Sequence, residues 1–66
     1  MPDDQCIEAL TLRLMAAEHE SMGHALERRA SAYQGEARKY YARLSAEHRC
    51  KARSAEAGAA ALEARP

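Results

Sequence analysis

No proline interrupts residues 3–65, and the residues filling that span are mainly alanine, leucine, glutamate, arginine and lysine. All five are good helix formers, so the chain is restricted to helix almost from end to end. Only Ile7, Thr11 and the tyrosines lean toward strand. The one break falls at Gln34-Gly35, where a glycine can adopt the left-handed conformation that ends a helix. Arg28 and Arg29 stand at the negative dipole end of the helix before it, and Glu36 lies in the first turn of the helix after it. No proline-rich or polar run follows, so the connection is short, and short connections join antiparallel neighbours. The expected fold is all-α: one antiparallel two-helix hairpin of coiled-coil type over residues 1–66. The first helix is expected at about 3–33, the turn at 34–36 and the second helix at about 36–63. Pro2 suits a first helical turn, and Asp3 and Asp4 favour the positive dipole end.

Such a hairpin has little with which to build a core. The chain contains no Phe, Trp or Val, and much of its 47% hydrophobic content is alanine. A domain of this length buries only about 60% of its unfolded surface, so added burial against a partner or a second copy is expected. In the first helix Ile7, Leu10, Leu14, Met15, Met22, Leu26 and Tyr33 fall on one broad face. In the second, the expected core stripe is Ala37, Tyr41, Leu44, His48, Ala55, Ala59 and Leu62, with Arg38, Lys39, Arg43, Arg49 and Arg53 on the far side. Gly23 and Gly58 interrupt the helices, and Gly23 is expected to be a tolerated weakness rather than a packing point.

Charge supports antiparallel pairing. Residues 1–34 carry six acids and three bases, net −3, whereas residues 35–66 carry four acids and seven bases, net +3. The chain as a whole is neutral.

Several function classes have no support. His19, His24, His48 and Cys50 lie at similar heights in the hairpin, but they point to different sides and show no CxxC or HxxxH spacing, so no metal is expected. Cys6 and Cys50 stand about 14 residues apart in height, roughly 20 Å, too far for a disulfide. No nucleophile–base arrangement or glycine-rich phosphate loop occurs, so the chain is expected to be neither an enzyme nor cofactor-dependent. No apolar run is long enough to cross a membrane. The acidic start, Met1-Pro2-Asp3-Asp4, is unlike a signal peptide, which points to a cytoplasmic protein. Residues 38–53 hold six bases, one acid and the pair Tyr40-Tyr41, a pattern that can track phosphates and stack on bases. Overall neutrality makes a solvated helix face the better reading, and nucleic acid an improbable partner.

The run Gly35-Glu36-Ala37-Arg38-Lys39-Tyr40 resembles the turn and second-helix start of the YscE/PscE family, small cytoplasmic co-chaperones of type III secretion systems. Ile7-Glu8-Ala9-Leu10 is similar to the start of that family's first helix. The resemblance implies a helical hairpin that binds a tetratricopeptide-like chaperone and helps keep the secretion needle subunit monomeric until export. The side chains expected to meet a protein partner are Leu12, Met15, Met22, Leu26, Tyr33, Tyr40 and Tyr41, on or at the edge of the apolar faces. The alternative is a self-associating hairpin, similar to the Rop-type plasmid regulators, that binds RNA or acts as a small regulatory or inhibitor protein.

Overall fold

The computed structural model describes residues 4–65 and consists of two α-helices, α1 (Asp4–Ser31) and α2 (Gly35–Glu63), folded against each other along their whole length. The expected all-α hairpin is the observed fold. Helix α1 ends two residues earlier than expected, and α2 begins one residue earlier, at Gly35. Pro2 and Asp3, read as an N-terminal helix signal, lie outside the described residues.

Local chemistry explains the turn. The last turn of α1 tightens as the amides of Ala32 and Tyr33 donate to the carbonyls of Arg29 and Ala30, at 3.0 and 3.2 Å. Gln34 is extended (φ −131°, ψ 165°) and Gly35 has φ +66°. Gly35 therefore takes the left-handed conformation assigned to it, and it does so as the first residue of α2. Glu36 stands in the first turn of α2 and Arg28 and Arg29 in the last turn of α1, each at the dipole end that favours its charge.

The core differs from expectation. The buried residues of α1 are Ala9, Ala16, Gly23 and Ala30, one every seven positions. Those of α2 are Ser45, Ala52 and Ala59, again seven apart, with Ala55 beside them. A strict seven-residue spacing keeps one stripe of each helix facing its partner, as in a coiled coil. Of the stripe expected in α2, Ala55 and Ala59 are buried, Tyr41, Leu44, His48 and Leu62 are half-buried, and Ala37 is exposed. Ser45 and Ala52 take the remaining buried places. The broad face expected to pack in α1 does not: Ile7, Leu10, Leu14, Met15, Met22 and Tyr33 are exposed, and Leu26 is half-buried.

The reason is steric. Small side chains let two helix backbones approach closely, and once they are that close no larger side chain fits between them. Gly23 is therefore a packing point, which corrects the expectation that it is merely tolerated. A Cβ built there would lie 3.1 Å from Cγ of Arg49 and 3.4 Å from the carbonyl oxygen of Ser45. The Ser45 hydroxyl uses the same closeness to donate a buried 2.7 Å hydrogen bond to the Gly23 carbonyl.

Burying alanines removes little apolar area from water. The hairpin is a rod with Cα extents of 50 × 17 × 10 Å, and it exposes 5050 Å². A compact monomer of 7.3 kDa would expose about 4,200 Å². The excess, roughly 900 Å², is close to the ~800 Å² that each partner contributes to a standard protein interface.

Candidate partner-binding face

The seam has two flanks of opposite character. On one, ion pairs cross between the helices. Arg13 donates to Glu56 at 2.7 Å and also to Glu63. Arg49 pairs with Glu27 and reaches toward Nδ1 of His24 at 3.4 Å. The Glu63 carboxylate, with Glu56 beside it, raises the Arg13 guanidinium above its ordinary value against a smaller opposing effect of desolvation. These pairs are largely exposed, so each adds little to stability. Their placement at two heights on one flank helps to hold the helices in register. Arg49 was expected on a far, solvated basic face; it is instead half-buried and engaged across the seam.

The other flank is apolar. In α1, positions 12, 15, 19, 22 and 26 recur at intervals of three, four and seven and so share one side of the helix, and Tyr33, in the connection just beyond it, continues the same line. Leu12 packs on the buried cluster of Ala16, Ala52 and Ala55. Midway along, His19 and His48 meet with their Nδ1 atoms 2.9 Å apart and ring centroids 5.1 Å apart. At that distance a hydrogen bond links the helices at this layer when one Nδ1 carries a hydrogen and the other does not. At the turn end, Tyr33 stacks on Tyr41 at 5.3 Å with the rings 23° from parallel. Tyr40 meets Tyr41 edge-on at 5.4 Å, and the Arg29 guanidinium lies 5.8 Å above the Tyr41 ring.

Six of the seven side chains expected to contact a partner line this flank: Leu12, Met15, Met22 and Leu26 from α1, Tyr33 from the connection, and Tyr41 from α2. Leu12, Leu26 and Tyr41 are half-buried and form its floor. Met15, Met22 and Tyr33 keep 42–48% of their surface exposed. Tyr40 sits one step around α2, 56% exposed, and joins the group only through its ring contact with Tyr41. Leu44 belongs to the same flank, level with Met22 across the seam. His19 and His48 were placed at similar height but not paired, because the seam of α1 was not recognised; with Ala16 and Gly23 facing α2, His19 stands beside the seam and meets His48. Ile7, Leu10 and Leu14 form a separate strip on the outer side of α1 and are its most exposed large apolar side chains, Leu14 at 67%.

Among the described residues no three His, Cys, Asp or Glu side chains gather as a metal-binding group. Among the same residues no helix is long and apolar enough to cross a membrane. Cys6 and Cys50 are both exposed.

The geometry defines a class: an antiparallel helical hairpin with a small-residue seam and a broad uncovered apolar flank. Comparison with known proteins finds no matching family model, no matching curated protein and no matching solved structure.

Proposed function

We propose that this chain is a small helical binding protein whose task is to lay the face of Leu12, Met15, Met22, Leu26, Tyr33 and Tyr41 into the groove of a helical protein partner. The observation that carries the reading is the inverted distribution of apolar side chains. Alanines fill the seam, while methionine and tyrosine stand in water along one flank. Flexible methionines flanking rigid aromatic rings suit a surface that anchors and adapts to a helix. The turn sequence Gly35–Tyr40, similar to that of the YscE/PscE co-chaperones, gives the partner its specific form. It would be a tetratricopeptide-like chaperone in the cytoplasm, with which the hairpin covers the aggregation-prone secretion needle subunit. In this role the chain performs no chemistry and needs no cofactor.

The test is co-purification of the tagged full chain with its bound proteins identified by mass spectrometry, in parallel with a Met15→Glu/Met22→Glu double variant. A tetratricopeptide-like chaperone held by the wild type and released by the variant supports the proposal. A variant that retains the same partner refutes the assignment of this face. Recovery of RNA, with binding that weakens steeply with salt, would favour the regulator reading instead. Engagement of Arg49 by Glu27 argues against that outcome, because it withdraws one base from the α2 basic face.

A further inference from the structure

We infer that, until a partner takes it, the apolar face is covered by a second copy of this chain, packed face to face so that α1 of each hairpin lies over α2 of the other. The inference rests on the reading of that face as a binding surface and adds what occupies it at rest.

Area comes first. The surplus of roughly 900 Å² over a compact monomer matches one partner's share of a standard interface. The broad side of the rod, 50 Å by 17 Å, is large enough to provide it. The outer strip of Ile7, Leu10 and Leu14 is only three side chains long and is too small to do so.

Charge then selects the arrangement. A face-to-face pair has two ways to close with two-fold symmetry. If the axis runs across the helices, each helix lies on its own copy. Helix α1 carries five acids and three bases, net −2, and α2 carries four acids and six bases, net +2. That closure therefore sets like charge on like charge. If the axis runs along the helices, α1 lies over the second copy's α2, opposite charges face each other and all neighbouring helices are antiparallel. Charge pairing of this kind is how helical assemblies choose orientation.

Heights agree with the second closure. Within the hairpin, residues whose numbers add to about 67 are level, as His19 and His48 are. An axis along the helices preserves that level between copies. Met22 then lies over the second copy's Leu44 and Leu26 over its Tyr41. His19 lies over the second copy's His48, giving a middle layer of four imidazoles between apolar layers. The turn ends of the two copies come to the same end of the bundle.

The test is sedimentation equilibrium on the full chain from about 1 to 200 μM, with three variants. The wild type should show a mass of twice 7.3 kDa. Met22→Glu should weaken self-association at least tenfold. Leu14→Glu, which adds the same charge on the outer side of α1, should leave the dimer intact. The third variant, Cys6→Ser/Cys50→Ser/Gln34→Cys, carries a spin label at the turn; the distance between the two labels should be about 20–25 Å, set by packed helices rather than by the rod. A monomer at every concentration, a dimer lost in Leu14→Glu but not in Met22→Glu, or labels about 50 Å apart, the length of the rod, would each overturn the inference. A monomer that still captures a helical partner defeats only this inference. A dimer that captures none defeats only the functional reading.

Discussion

Replacing Gly23 by alanine sets two effects of known size against each other. Alanine in a helix interior is worth about 0.8–1 kcal/mol over glycine, so helix propensity alone predicts a more stable protein. The seam predicts the reverse. The added Cβ would stand 3.1 Å from Cγ of Arg49, closer than ordinary carbon contacts at about 3.5–4 Å, and 3.4 Å from the Ser45 carbonyl oxygen, a normal contact that leaves it no room to retreat. The Ser45 oxygen is backbone and moves only with α2. Arg49 is held at its far end by Glu27. Relief therefore means widening the seam by a few tenths of an ångström or turning Arg49 away. Widening stretches the 2.7 Å bond from Ser45 to Gly23. Overpacking of this kind costs about 1–3 kcal/mol, so the net expectation for Gly23→Ala is a loss of about 1 kcal/mol. For a domain of this size that lowers Tm by about 4–8 °C. Gly58→Ala is the matched control. Its Cβ would meet only Cδ1 of Leu12, at 3.2 Å, the end of a side chain that can swing outward. It should keep most of the propensity gain and raise Tm. The assay is thermal unfolding followed by circular dichroism at 222 nm, all chains at one concentration because association shifts Tm. If Gly23→Ala and Gly58→Ala stabilise alike, the close approach at Gly23 does not constrain the fold and the reasoning fails.

Three further outcomes can be checked in the same assay. Gly35→Ala should lose about 1–2 kcal/mol through its φ of +66° alone, since nothing lies within 4 Å of the new Cβ, and Gly35→Asn should recover part of the loss. Ser45→Ala should cost no more than about 1 kcal/mol, because alanine suits the seam; a larger loss would mean that the bond to Gly23 fixes the helix spacing. Tyr41→Ala removes the ring on which Tyr33 stacks and Tyr40 abuts, and should cost about 0.5–1.5 kcal/mol beyond lost area, with a change in tyrosine near-ultraviolet dichroism.

The helices and their pairing were legible because they depend on backbone propensity and on a single residue. Alanine, leucine, glutamate and arginine favour helix wherever they stand, and Gly35, near the middle of the chain, divides it into two helices of similar length. The seam was harder to read because the usual rule places the largest apolar residues inside. Here Ala9, Ala16, Gly23 and Ala30 were counted as helix formers or weaknesses, although their seven-residue spacing was present in the sequence as a signal for the contact stripe. Once that stripe is assigned, Leu12, Met15, Met22 and Leu26 necessarily fall beside it rather than in it. Six of the seven side chains expected at a partner therefore share one flank, whereas Tyr40 lies one step around α2, Leu44 was assigned to the core instead, and the core supporting the flank was misplaced. The pairings of His19 with His48 and of Arg49 with Glu27 depend on which side of each helix faces the seam; the similar height of the two histidines was legible from the position of the turn, but the side was not.

A seam of alanines is smooth, and smoothness has a consequence for how the molecule measures itself. Interlocking leucines act as teeth that admit one alignment, but layers as similar as Ala9, Ala16 and Ala30 offer almost the same fit after a slide of one repeat. The alignment is therefore set by the three-residue connection Ala32–Gln34, by the single notch in the seam where Ser45 engages Gly23, and by the ion pairs of Arg13 and Arg49 beside it. Lengthening that connection would turn a hairpin with one alignment into two rails free to settle at several.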